Sequence, residues 1–487
     1  MGEVPIQTLQ SLNKIFVMRN LQPFLLLLLV SLLTVTCKQD QTKATIPVDD
    51  NSYAMLSPEQ MEDLVKRSFQ YVALYNVTNK FALAQGGWNT LQSDTQLKDH
   101  TLTDIARPNN DTFYTSALLD LRDDAMILKY PGFDSKYVSL MITAYDHYVN
   151  IPLSTGNGNF GEDGAILIYS DHTRNYDGEK IEGIDHYFKA TGDFVSAVFR
   201  VMPHASEPER FEKVVSQIQS IELHSLNTYQ GNDVIPLSPV EFPDVGMTDS
   251  DIFKNNLLEV MQFVFNHVSW DRENPLDKAI LEIYRPLGIV PGGTYEPEKG
   301  IKVNGAELRA IAERIREEEM KKSVDEDFRK KVQSKMFQPK GKTDLETLLN
   351  VSILGPIGMP EAEAIYPQIK TADGDPMNAM NDYVIRMSKD ELPPARAFWS
   401  ITLYDLENGF FIPNDRKKYS VGENAGMRLN EAGGIEIYIA SEKSEGVPEE
   451  NWLPIERKDL NLSPTLRIYQ ADLDAMKSWI VPVAQKL

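Results

Sequence analysis

A chain of 487 residues, 42% of them apolar and 25% charged, is long enough for two or three cores and too apolar to be disordered. Its 49 Lys and Arg against 71 Asp and Glu leave a net charge of −22, which repels a phosphate backbone and an anionic lipid surface alike. Nucleic acid is not an expected partner, and a membrane would be reached only through an attached lipid.

The first feature is an apolar run of 13 residues, 24–36, behind Arg19. It is too short to cross a bilayer comfortably and has the layout of a secretory signal. The run ends at Cys37, the only cysteine, after Thr34, Val35 and Thr36. This resembles a bacterial lipoprotein signal, with Thr36 where Gly, Ala or Ser is usual; an ordinary signal peptide with an incidental cysteine is the alternative. The expectation is a leader over 1–37 with translation starting at Met18, a lipidated Cys37, a polar tether over 38–51, and export to the periplasm or outer membrane. With no second thiol, disulfides, cysteine nucleophiles and thiolate zinc sites drop out.

Ser57-Pro58-Glu59-Gln60 reads as a capping box with proline at the first helical position. Met61, Leu64, Val65, Phe69 and Val72 follow at helical spacing, which predicts a helix over 57–75. Next comes 107–116 (RPNNDTFYTS), which gathers a guanidinium, two amides, a carboxylate and a phenol where the alternating run 113–121 begins. Pro108 biases Arg107 toward extended backbone, and Asn109, Asn110 and Asp111 are residues that bond their own main chain, so a rigid turn feeding a strand is expected. Polar clusters at sheet ends are common sites. Arg107, Asn109, Asn110 and Tyr114 are therefore candidate ligand-binding residues and Asp111 a candidate catalytic one; the competing reading is an Asx turn that only closes a loop.

Strands are expected at 125–130, 137–145, 165–169 and 194–202, and a capped helix over 206–222. Helical spacing over 251–268, 274–284 and 304–324 makes the middle α-helical, with a break at Pro291-Gly292-Gly293. Strand patterns return at 383–387, 397–405, 410–413, 434–440 and 466–469. In the second of these, Phe398, Ser400, Thr402 and Tyr404 share a mixed face while Trp399, Ile401 and Leu403 share an apolar one. The predicted fold class is α+β, mostly β: two β-sandwich or jelly-roll-like domains, 52–245 and 346–487, joined by a helical region over 246–345.

The stretch 107–116 resembles the hallmark of the bacterial domain of unknown function 1254, and 287–292 (LGIVPG) resembles its helical tail. The stretches 398–405 (FWSITLYD), 419–422 (YSVG), 437–439 (IYI), 451–454 (NWLP) and 466–469 (LRIY) are similar to the domain of unknown function 1214. The likeness runs from about Tyr53 to Pro482 and departs after Tyr469, where Gln470-Ala471 replace an aromatic and a proline. It implies two β-rich domains joined by helices in an exported protein, and it assigns no catalytic residue.

Strong catalytic signatures are absent: there is no Walker loop, dinucleotide glycine fingerprint, HExxH or GxSxG. The seven histidines show no metal-ligand spacing, so no metal is expected and no cofactor is named. His147 stands out because Tyr145-Asp146-His147-Tyr148 ends a strand, where Asp146 or Asp111 would orient its imidazole as a general base; a structural histidine is the competing reading. Trp399, Tyr404, Trp452 and Tyr469 are candidates for an aromatic ligand platform, against core packing as the default. Arg467 projects from the face opposite Leu466 and Ile468, suited to a carboxylate or an anionic ligand. The expected function is a hydrolase or lyase acting on a small molecule or glycan in the envelope; the alternative is a non-catalytic ligand- or glycan-binding lipoprotein. A pocket enclosing Asp111, Tyr114 and a perturbed histidine would favour the enzyme, a shallow aromatic groove the binder.

Overall fold

Ser57 caps the first helix as its sequence predicts: its hydroxyl accepts from the Gln60 N–H at 3.2 Å, and the Gln60 side chain accepts from the Ser57 N–H at 2.8 Å. The computed structural model describes residues 46–487 except Asp104, so the expected leader and Cys37 lie outside the described residues. Helix α1 (Pro58–Gln85) continues past Tyr75 to Gly86, which ends it at φ 94°. The extension escapes sequence periodicity because its inward residues are polar: Asn76 donates to Asp249 at 2.7 Å and Asn79 to the Tyr145 hydroxyl at 2.9 Å.

The longer helices that follow are α2 (Pro208–Gln219), α3 (Asp249–Asn255), α4 (Leu257–His267), α5 (Pro275–Tyr284), α6 (Gly305–Lys322), α7 (Glu326–Gln333) and α8 (Leu345–Leu354). The run expected as one helix over 251–268 divides at Asn256, whose φ of −154° leaves the helical region. Helix α2 starts without the expected side-chain cap, at Glu207. Leu64, Phe69 and Tyr75 of α1 share one core with Phe253, Val260, Phe265, Leu308 and Leu349. Helix α1 therefore buries its apolar face among the central helices.

The N-terminal half holds two open sheets. One has the order β1-β2-β8-β4-β5, from β1 (Thr90–Asp94), β2 (Phe113–Asp120), β8 (Phe194–Val201), β4 (Val138–Ala144) and β5 (Val149–Ser154). The other has the order β7-β6-β3-β9, from β7 (His186–Lys189), β6 (Gly164–Tyr169), β3 (Met126–Tyr130) and β9 (Glu222–Ser225). Phe113, Leu119, Leu128, Leu140, Ile166 and Phe199 fill the space between them.

The C-terminal half repeats the arrangement. One sheet runs β10-β17-β13-β14, from β10 (Ala364–Ile365), β17 (Leu462–Ala471), β13 (Ala395–Asp405) and β14 (Ser420–Gly422). The other runs β11-β18-β12-β15-β16, from β11 (Lys370–Thr371), β18 (Val483–Lys486), β12 (Tyr383–Met387), β15 (Ile435–Ala440) and β16 (Trp452–Pro454). The expected strand at 410–413 is reduced to a single bridge, Phe411 to Tyr404. No sheet among the described residues runs through both halves, and the fold is α+β.

Strand β13 is buried on both faces, and the two faces meet different partners. Trp399, Ile401 and Leu403 enter the core of the C-terminal sandwich. Phe398 faces the other way, into a cluster with Tyr137, Met141, Met202 and Tyr469 that joins the two halves. The Phe398 ring stacks on Tyr469 at 4.2 Å, and Tyr137 lies 5.2 Å from Tyr469. The mixed face of β13 is thus a seam between two sandwiches.

Candidate functional site

The 107–116 turn is built against this seam. Arg107 is exposed and takes φ 54° instead of the extended backbone expected before proline, because the turn aims its N–H at the Gly409 carbonyl, 2.6 Å away. The Pro108 carbonyl accepts from the Tyr404 hydroxyl at 2.6 Å. Asn109 closes an Asx turn by accepting from the Asp111 N–H at 2.8 Å, and its amide donates to the Tyr114 hydroxyl at 2.9 Å. Asn110 pairs with both the N–H and the carbonyl of Lys98, each at 2.7 Å.

Asp111 is 1% exposed and is spent on the other sandwich. Its carboxylate accepts from the Ser400 hydroxyl and lies 4.0 Å from the Arg467 guanidinium. Burial pushes its carboxyl above the usual range, against the opposing pull of Arg467, Ser400 and Tyr469. Arg467 also donates to the Thr402 hydroxyl at 2.9 Å and to the Tyr404 hydroxyl at 2.7 Å.

Of the other sequence candidates, Tyr404 meets this group through its hydroxyl, while Trp399, Trp452 and His147 stand apart from it. Trp399 is in the C-terminal core; the Trp452 indole donates to the Ala440 carbonyl at 2.9 Å under the Arg416 guanidinium; Tyr404 stacks on Phe411 at 5.4 Å. These three make no shared platform. His147 lies past the far end of β4. Ser139, in register with Arg200 and so with Tyr114, is five residues before Ala144 at the strand's end, roughly 17 Å away at strand rise. His147 is 1% exposed, stacks on Phe337 at 6.2 Å, and burial lowers its pKa to about 4. Asp111 and His147 are not brought together.

Sequence reasoning missed the residues that line the seam beside the motif. Tyr114, Arg200, Ser139 and Ser154 form one row across the first sheet. Arg200 is 6% exposed, its guanidinium 5.6 Å from the Tyr114 ring, and its hydrogen bond goes to the Met141 sulfur at 3.4 Å. Its charge acts on the Glu363 carboxyl, pulling it down against burial. Glu363 faces the row from the other sandwich, taking a hydrogen bond from the Tyr137 hydroxyl at 3.0 Å, and burial raises its pKa. Tyr366, just past β10, is 52% exposed, and burial around its hydroxyl raises its pKa against the opposing pull of Arg467 and Arg200. Gln470, where the chain departs from the resemblance, takes φ 50° and donates to the Ser154 hydroxyl at 2.9 Å. A signal for Arg200 did exist: it is the one charged residue in the strand Phe194–Val201 (FVSAVFRV), the same pattern that singles out Arg467.

Two histidines without pairing in sequence meet in space, as His172 and His267 both bond Asp193 through Nδ1, at 3.0 and 2.8 Å. No group of three or more His, Cys, Asp or Glu among the described residues has the geometry to hold a metal. Concavities of about 280 Å³ beside Asn76, Asp249 and Arg316, and about 350 Å³ beside Asp123, His224 and Leu237, lie away from the seam.

Two β-sandwiches, a helical body and a buried polar seam between the sandwiches define the class of the molecule. Residues 88–224 match the family described as protein of unknown function DUF1254, and residues 363–473 match that described as protein of unknown function DUF1214. The chain belongs to the proteins that carry these two domains in this order. It is similar to the VPA0106 protein of Vibrio parahaemolyticus, known from a crystal structure, at 21% identity over 88% of this chain and 100% of that one, with a TM-score of 0.66. A putative uncharacterized protein from Burkholderia cenocepacia has 12% identity over 88% of this chain and 96% of its own, with a TM-score of 0.41. The first likeness is one of fold. No curated protein matches the chain.

Proposed function

We propose that the protein binds a small anionic molecule, a carboxylate in the first instance, in the seam between its two sandwiches. The observation that carries this reading is Arg200: a buried guanidinium with a thioether as its hydrogen-bond partner, beside the Tyr114 ring. A buried charge is costly unless paired, and the guanidinium fork matches a carboxylate in a bidentate pair. Asn109 and Tyr114 line the same place and supply neutral donors. The hydrolase or lyase reading has weaker support, because the Asp111 carboxylate already serves Ser400 and Arg467, and His147 is at the far end of the sheet.

Calorimetric titration with acetate, succinate and phosphate, with acetamide as the neutral control, tests the reading. Saturable binding of a carboxylate and no binding of acetamide is expected, and ligand at a hundredfold over Kd should stabilise folding by about 2.7 kcal/mol. Arg200→Gln should weaken binding at least tenfold while barely moving the melting of the free protein, since it gives up only the contacts to the Met141 sulfur and the Tyr114 ring. Carboxylates that bind Arg200→Gln as tightly as the parent would refute it. We further propose that the protein is exported and anchored through a lipid on Cys37, on the strength of the apolar run that precedes it. Cys37→Ser should move it from the membrane to the soluble fraction; an unmodified Cys37 by mass spectrometry rules the anchor out.

A further inference from the structure

Among the described residues, nine buried side-chain nitrogen and oxygen atoms have no hydrogen-bond partner, and all of them fall on three stretches, 143–148, 269–277 and 343–347. Native interiors pair the great majority of such atoms, so a concentration of orphans marks a place where partners come from outside the chain. Lys340 ties the first two stretches together. Its ammonium donates to Asp277 Oδ2 at 2.7 Å and to the Ser269 carbonyl at 2.9 Å. It also lies 3.6 Å from Asp146 Oδ2 and 5.2 Å from the centre of the Tyr148 ring. Asp146, Tyr148 and Asp277 are 0% exposed and His147 is 1% exposed.

The unpaired atoms describe their ligand. Asp146 Oδ2 and Asp277 Oδ1 can only accept, and the Tyr148 hydroxyl, which has the Gln70 side chain beside it, can do either. Two carboxylates face one ammonium, which leaves one negative charge over. An anion is repelled by that charge. A neutral alcohol satisfies the oxygens and leaves the charge standing, whereas a protonated amine supplies donors and balances it. This cluster is separate from the Arg200 seam, because Asp146 lies beyond the opposite end of β4 from Ser139.

We propose that the cluster of buried side chains around Lys340 is a binding site for a small cationic amine, held between Asp146 and Asp277 with the Tyr148 hydroxyl as a third contact. Ethanolamine, ethylene glycol and glycolate have the same heavy-atom skeleton length and differ in charge, so they serve as probes by calorimetric titration near neutral pH. Ethanolamine should bind saturably and at least tenfold more tightly than ethylene glycol, and glycolate should not bind. Asp146→Asn should weaken ethanolamine at least tenfold, while Arg200→Gln should leave it unchanged, which separates this site from the seam. Tyr148→Phe removes one hydroxyl and no charge, and should weaken ethanolamine severalfold; it serves if Asp146→Asn does not fold. Equal affinity for the three probes, no ethanolamine binding to the parent protein, or a crystal grown in ethanolamine with only ordered water bridging these atoms would overturn the proposal.

Discussion

The carboxylate of Asp111 crosses from the 107–116 turn to Ser400 and Arg467 of the opposite sandwich, so its energetic role is settled by what happens when one charge is removed and the other stays buried. Both side chains are almost wholly buried, and stranding one member of such a pair costs on the order of 3 kcal/mol. Asp111→Asn and Arg467→Met should each lower stability by about that amount, and the double variant should lose clearly less than the sum. Arg107→Met, at an exposed position whose backbone N–H does the bonding, should stay within about 0.5 kcal/mol of the parent. Denaturant unfolding of the four proteins measures this, and additive single-site losses would mean that the two groups do not act as a pair. Arg467 was legible as a cation awaiting a carboxylate because it interrupts an apolar strand face. Its partner was not, since the pairing spans the whole chain and sequence spacing carries no information about it.

Among the elements, legibility followed how much of each one's stability comes from its own pattern. Strand β12 (Tyr383–Met387) matches its expected bounds, and β13 was readable to the level of which residues share a face. The short strands β1, β7, β9 and β16 were not predicted; TLQSD, HYFK, ELHS and WLP carry no sustained alternation and are held by the strand beside them. Helix α1 was cut short for a related reason, as Asn76 and Asn79 replace apolar residues with hydrogen bonds to distant side chains. Gly305, at the start of α6, is a case where packing overrides propensity. Alanine is the better helix former, yet a Cβ there would sit 1.9 Å from the Lys254 carbonyl oxygen, so the glycine is what lets α3 and α6 approach. At the seam the same logic applies: the turn motif was visible as a dense run, while Arg200 and Glu363 come together only through sheet register and the docking of one sandwich on the other.

The stability of the whole molecule with pH follows from two neighbours whose protonation is displaced in opposite senses. Burial lowers the His147 pKa from the ordinary 6.5 to about 4, so the unfolded chain binds a proton there before the folded one does. Its contribution to stability is complete above pH 6.5 and is lost as pH falls through 4. Burial raises the Asp146 carboxyl from 3.8 to about 6, against the pull of Lys340, so here the folded chain binds the proton first. That contribution is complete below pH 3.8 and is lost as pH rises through 6. Each group has a limiting slope of about 1.4 kcal/mol per pH unit. Between pH 4 and 6 the slopes oppose and nearly cancel. Removing either group should expose the other. Relative to the parent, His147→Gln should lose roughly 2 to 3 kcal/mol as pH is raised from 4 to 6, and Asp146→Asn should lose a similar amount as pH is lowered over the same range. Urea unfolding at half-unit pH steps, taken as variant minus parent to cancel the carboxylates common to both, reads the two curves directly. They should cross with opposite slopes; parallel curves would mean that the two groups do not titrate differently on folding.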